Sequence, residues 1–280
     1  MGYFFLKRNN TFLRLLNEYR KKLFEKMKYR FYNRPYVFFK NVYNIVIPCN
    51  IYQTWSTKEL PEKMKLRVEE LKRNNPNFKH YLFDDNDCRK FIKNNFDREV
   101  LDTYDNLLPG AYKADLWRYC VLYKNGGIYL DIKFKCINNF RLIELTESEH
   151  FVKDRDNSGI YNAFMVCKPG NELMLCAINK IVNNYKNNFY GESPLHPTGP
   201  SLLRDLIKTN KIHNINIDML HQHNEQQPGV VSYKKRFVLS TTYPEYDFER
   251  NSEYNKKNTS RYDKLWNERR IYKRKDNPKE

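Results

Sequence analysis

Two runs decide the reading: Ala111-Tyr112-Lys113-Ala114-Asp115-Leu116-Trp117-Arg118-Tyr119, and, after a Gly-Gly break, Gly126-Gly127-Ile128-Tyr129-Leu130-Asp131-Ile132-Lys133. The first opens a helix expected over 111–124. Gly126 follows at the position where a left-handed backbone is cheap only for glycine. Ile128 to Asp131 is then a short strand ending on a carboxylate. Asp115 and Arg118 are three apart and share a helix face. A carboxylate beside a planar guanidinium offers an acceptor and a donor fork, suited to a polyhydroxylated, phosphate-bearing ligand. The tight turn brings Asp131 to the same rim.

Outward from this core the chain alternates strands and helices. Ile45 to Trp55 is a buried strand ending at Trp55. Pro61 opens a helix through Arg73, with Met64, Val68 and Leu71 on one face. Phe78 to Phe83 is a strand closed by Asp84-Asp85, and helices follow near 86–95 and 98–107. Beyond the central run, 133–137 is expected as a strand, as are 149–153, 160–167 and 230–240, with helices near 171–187 and 199–209. This alternation predicts an α/β fold with a mainly parallel sheet. Ligands of such sheets sit at the carboxyl ends of strands, which here carry Trp55, Asp84-Asp85 and Asp131.

Residues 1–44 differ in character. Arg14, Arg20, Lys21, Lys22, Lys26, Lys28 and Arg30 outnumber Glu18 and Glu25, while Phe12, Leu15, Leu16, Tyr19, Leu23 and Met27 recur at helical spacing. This predicts a basic amphipathic helix, able either to lie on an anionic membrane or to pack on the main domain. The expected organisation is this extension, a main domain over 45–270, and a basic tail over 271–280.

The whole chain has 280 residues and a net charge of +17, with Asn, Lys and Tyr overused. The 15% of aromatic residues excludes a disordered chain. Six dispersed cysteines without a C-x-x-C pair argue against a zinc ribbon or a disulfide scaffold. His196, His213, His221 and His223 show no metal-ligand spacing. No apolar run spans a membrane and no secretory signal is seen, so a cytoplasmic location, or one peripheral to an intracellular membrane, is expected. No RNA- or DNA-binding module accompanies the charge, which leaves nucleic acid the least supported partner.

Several motifs occur in a fixed order: Ile47-Pro48, Tyr52-Gln53-Thr54-Trp55, Asn75-Pro76, Tyr81-Leu82-Phe83-Asp84-Asp85, Ala114-Asp115, Arg118-Tyr119 and Gly126 to Asp131. Tyr161-Asn162-Ala163-Phe164-Met165, Thr198-Gly199-Pro200 and the Trp266 region follow. Over roughly 45–270 this order resembles the family 32 glycosyltransferases with a DXD sugar-binding region. These are related to yeast mannosyltransferases and clostridial glucosylating toxins, and the copies in giant DNA viruses are the most alike. The resemblance implies a GT-A-like, Rossmann-type domain. It also implies transfer of a sugar, with retention, from a UDP- or GDP-linked donor to a hydroxyl on a glycan, protein or lipid. In that scheme Trp55, with Tyr52 in the same run, meets the donor's base; Asp115 and Arg118 position the donor sugar. Asp131 is similar to the first Asp of the DXD. Asn162 resembles a sugar-contacting amide, and Trp266 a residue closing over the donor phosphate.

The third DXD position, however, is Lys133, and the segment before Trp266 reads Arg261-Tyr262-Asp263-Lys264-Leu265. Protonated Lys cannot ligate a metal. Two expectations follow: Mn²⁺ or Mg²⁺ held by Asp131 and Asp263, or metal-independent transfer in which Lys133 neutralises the diphosphate. Lys133 also motivates an alternative function, a catalytically inactive glycosyltransferase-like binding domain.

Overall fold

A computed structural model describes residues 2–38, 40–154, 159–209, 215–222 and 229–273. The segments holding His213, His223 and the tail from Arg274 lie outside the described residues. Helix α1 runs over Gly2–Tyr32, and β1 over Asn50–Thr54. Helix α2 (Glu62–Asn74) leads to β2 (Lys79–Phe83), and α3 (Asp85–Asn95), α4 (Arg98–Asn106) and α5 (Gly110–Asn125) lead to β3 (Gly127–Leu130). Then come β4 (Lys135–Cys136), β5 (His150–Lys153), β6 (Ile160–Cys167), α6 (Glu172–Lys186) and α7 (Pro200–Thr209). The described chain closes with β7 (Met219–Gln222), β8 (Val230–Tyr233), β9 (Arg236–Ser240), α8 (Tyr246–Lys256) and α9 (Tyr262–Asn267).

The sheet order is β2-β1-β3-β6-β5-β7-β8-β9-β4. Strands β2, β1 and β3 are mutually parallel, in the register Thr54 to Phe83 and Tyr52 to Tyr129. Apart from parallel β5–β7, the remaining pairs are antiparallel. The expected mainly parallel sheet is therefore mixed. The reason is connection length: β8 and β9 are joined by Lys234-Lys235, both at positive φ, a hairpin too short for a parallel crossover.

Side-chain alternation assigns the two faces of the sheet. Tyr129, Met165 and Cys167 join the cluster under helices α3 to α7, while Ile128, Leu130, Phe164 and Val166 join a second cluster with Phe134, Phe140 and Leu142. Tyr36 is buried in that second cluster, ahead of the expected domain start at residue 45. Its hydroxyl donates to Glu144 at 2.7 Å, as does Tyr43 at 2.9 Å. Asp84 caps α3 in a capping box with Asp87, which gives this strand-end carboxylate a structural duty.

From β1 the chain crosses to β2 on one side, then returns past β1 to β3 on the other. The carboxyl ends of β1 and β3 thus form a topological switch point, where open α/β sheets bind ligands. Gly126 (φ 62°) and Gly127 (φ 117°) make the turn into β3, and a Cβ on Gly126 would lie 2.5 Å from the Pro169 ring.

Candidate functional site

Four charged side chains of alternating sign converge at this switch point. Helix α5 is buried along most of its length, so Asp115 and Arg118 point inward, at 8% and 6% exposure. An Asp115 oxygen accepts from Asn162 Nδ2 at 2.9 Å, the other from Thr198 Oγ1 at 2.6 Å, and Arg118 lies 3.3 Å away. Arg118 also donates to the Asn162 carbonyl at 2.9 Å, stands 3.5 Å from Asp131, and lies over the Tyr129 ring at 4.3 Å. Tyr119 joins the group by donating to the Thr198 carbonyl while accepting from Asn162.

Asp131 follows the last residue of β3. Its backbone N–H bonds the Ala163 carbonyl, and its own carbonyl accepts from Phe134 N–H at 3.0 Å and from Gln53 Nε2 at 3.3 Å. The 131–134 bond makes a turn where sequence reasoning expected a strand from 133. That turn folds Lys133 back, so its Nζ sits 3.2 Å from Asp131 Oδ2. The other oxygen, Oδ1, accepts from Tyr129 hydroxyl at 2.8 Å. Ile132 anchors the turn in a cluster with Met64, Val68, Tyr243 and Tyr246, and Lys133 Nζ lies 5.0 Å from the Tyr246 ring centre.

Burial and charge work against each other here. Burial pushes the Asp115 carboxyl up to about 6, against the pull of Arg118, Thr198 and Asn162. Asp131 feels burial too, but Lys133, Arg118 and the Tyr129 hydroxyl hold it below the usual carboxylate value. Burial opposes the charge of Lys133, yet Tyr246, Asp131 and Tyr161 keep it above its ordinary value. The cluster is thus two anions interleaved with two cations, with polar groups aimed at a strand-end rim.

Asp115, Arg118, Asp131, Lys133 and Asn162 are therefore brought together. Trp55 packs on the cluster that holds Ile132 and Tyr246, next to the turn, and its buried indole N–H has no partner among the described residues. Tyr52 lies apart: it is 3% exposed in the core, stacked on Tyr81, and its hydroxyl bonds Asn50 and Asn125 at the opposite end of the strand. Trp266 Nε1 donates to the Tyr190 carbonyl at 2.7 Å, and the ring packs on the main core, the contacts of an anchor. Asp263 pairs with Arg261 at 3.2 Å on exposed surface. No signal in the sequence assigns a role to Thr198, Tyr119, Gln53 or Tyr246. Thr198 stood in the Thr-Gly-Pro turn; nothing local marked Tyr246.

The residues present do not fit a divalent cation. No three or more His, Cys, Asp or Glu among the described residues are grouped to hold one. Asp131 already has a donor or an ammonium on each oxygen. Asp115 is likewise occupied on both.

Residues 61–152, which carry Asp115, Arg118, Asp131 and Lys133, match the family described as "Glycosyltransferase sugar-binding region containing DXD motif". This stretch is thus similar to the sugar-binding region of DXD glycosyltransferases, the family the motif order resembles. Among particular proteins, the chain is 32% identical to inositol phosphoceramide mannosyltransferase 3 of Schizosaccharomyces pombe, over 56% of this chain and 44% of that protein. It is 28% identical to an uncharacterized glycosyltransferase of Acanthamoeba polyphaga mimivirus, over 61% of this chain and 60% of the other. The chain spans about half the length of these curated relatives. The solved PaToxG glycosyltransferase is similar at 20% identity with a TM-score of 0.44, covering 59% of this chain and 69% of that one.

Proposed function

We propose that this protein is a glycosyltransferase that moves a hexosyl group from a UDP- or GDP-linked donor to a hydroxyl acceptor, with retention of configuration. The observation that carries the proposal is the Asp115–Arg118–Asp131–Lys133 cluster at the switch point, inside the matched region. The lone pairs that Asp115 keeps beyond its bonds to Asn162 and Thr198 suit donation from a sugar hydroxyl, and Arg118 holds both carboxylates in place. Trp55 offers an aromatic surface to the base.

Both carboxylates are engaged by cations and hydrogen-bond donors, so neither is set up as a free nucleophile for a double displacement. A front-face substitution fits better. The acceptor hydroxyl attacks on the side from which the diphosphate leaves, and the departing phosphate oxygen takes its proton. The fixed donors stabilise the charge growing on that oxygen. Thermal-shift screening of UDP- and GDP-sugars tests donor binding, because a true donor raises the melting temperature by mass action. Asp131→Ala should then bind weakly and transfer no sugar; a fully active variant refutes the assignment. Binding without turnover in the native chain would instead support the inactive-domain alternative.

The acceptor inferred is a hydroxyl of a lipid headgroup, because the named relatives include inositol phosphoceramide mannosyltransferases and α1 has the chemistry of a membrane-surface helix. Tyr29 and Tyr32 pack on Phe237 and tether α1 to β9. Leu15 (55% exposed), Tyr19, Leu23 and Met27 (62%), spaced four apart, stay in solvent beside a basic surface. Among the described residues no helix is long and apolar enough to cross a membrane, so the contact proposed is peripheral. Co-sedimentation should occur with phosphatidylserine-containing vesicles, weaken at high salt, and fail with pure phosphatidylcholine; equal binding to both would count against it.

A further inference from the structure

Resting on that reading, we propose that Lys133 supplies, as a fixed part of the chain, the positive charge that a divalent cation would bring to the DXD pair, and that the donor diphosphate binds directly to its ammonium. The charge count supports this. Replacing a carboxylate by an ammonium changes the local charge by two units, the charge of one divalent ion. An Asp pair with its metal and an Asp–Lys pair without one therefore have the same net charge.

Geometry supports it independently. The turn closed by Phe134 N–H and the Asp131 carbonyl sets Lys133 Nζ 3.2 Å from Asp131 Oδ2, so the ammonium already occupies an oxygen that a cation would need. The buried Ile132 locks the turn from the other side, and the Tyr246 ring under the ammonium limits its swing. A metal there would have to expel Lys133 from a largely buried position. Arg118, 3.5 Å from Asp131, would add a second repulsion. An ammonium has three protons. One serves Asp131, which leaves two for phosphate oxygens. Unlike a metal, this charge needs no ligand set, which accords with the absence of a grouped one among the described residues.

The test uses the full chain. In the metal arm, Mn²⁺ is titrated alone and free ion is read by electron paramagnetic resonance. The native protein should bind none in the micromolar range, whereas Lys133→Asp should gain a site. In the donor arm, affinity for the UDP- or GDP-sugar that stabilises the protein is measured with EDTA and with Mn²⁺. Native affinity should change less than twofold between the two. Lys133→Asp should lose at least tenfold in EDTA and recover with Mn²⁺, and Lys133→Arg should remain indifferent to metal. Melting curves confirm that each variant folds, and the native arms decide even if one does not. Micromolar Mn²⁺ binding by the native chain, or native donor affinity that collapses in EDTA and returns with Mn²⁺, overturns the proposal. If no nucleotide-sugar binds the native chain under either condition, the glycosyltransferase reading fails, and the Mn²⁺ titration still decides whether Lys133 holds the cation's place.

Discussion

Replacing Arg118 by Met tests the electrostatic design most directly. The guanidinium is buried, lies 3.3 Å from Asp115 and 3.5 Å from Asp131, and donates to the Asn162 carbonyl. Met keeps most of the volume and removes the charge. Breaking a buried charge network by deleting one partner typically costs about 3–5 kcal/mol, since the carboxylates stay buried. With an unfolding entropy of about 2.1 cal/mol/K per residue, 280 residues give about 0.6 kcal/mol/K, so the melting temperature should fall by about 5–8 °C at pH 7.5. The pH dependence carries the sign. Asp115 has a folded value of about 6 against an ordinary 3.8, so between those values the folded state binds more protons than the unfolded one. Its contribution to stability therefore falls as pH rises through that window. Without Arg118 the Asp115 value rises further, and Asp131 loses one of the charges holding it low. The variant can relieve its penalty by taking up protons in acid. The native-to-variant gap should thus be largest above pH 7 and less than half as large at pH 4.5. Urea unfolding followed by circular dichroism at the two pH values measures it. A gap under about 1 kcal/mol at pH 7.5, or one equal at both pH values, would refute the role of Arg118 as buried counter-ion.

Thr198→Val removes the 2.6 Å donor to Asp115 and should destabilise by about 1.5–3 kcal/mol, read from urea midpoints, while weakening donor binding. Gly126→Ala forces a Cβ onto a backbone at φ 62° and against Pro169, and at least about 2 kcal/mol should be lost; a neutral result would contradict the turn described. Glu144→Ala strips Tyr36 and Tyr43 of their shared acceptor, so limited proteolysis within 33–47 should speed up several-fold relative to the native chain.

Much of the candidate site was legible because its signals are local. The i,i+3 spacing of Asp115 and Arg118, the Gly-Gly stop and the strand ending at Asp131 each follow from short-range geometry, as do α2 to α5 and β1 to β3. Local signals misled where a residue had a second use. Asp84-Asp85 looked like a functional strand end, but the capping box with Asp87 claims Asp84. Tyr52 shares a run with Trp55, yet the strand pleat sends its ring into the core. The mixed sheet was missed because strand direction depends on how each connection returns, which periodicity does not record.

By itself the sequence determined the α/β class, the order of the elements around the central turn and the identity of the four charged residues, including Lys133 in the third DXD position. Only the tertiary structure decided what those charges do to one another. The turn at 131–134 sets Lys133 on Asp131, and the turn that leads into α7 delivers Thr198 to Asp115 from 83 residues away. It also buries Arg118 between the two carboxylates. The physical reason is distance and dielectric: an ion pair gains its strength, and its preference for one arrangement, when chain segments remote in sequence exclude water from it.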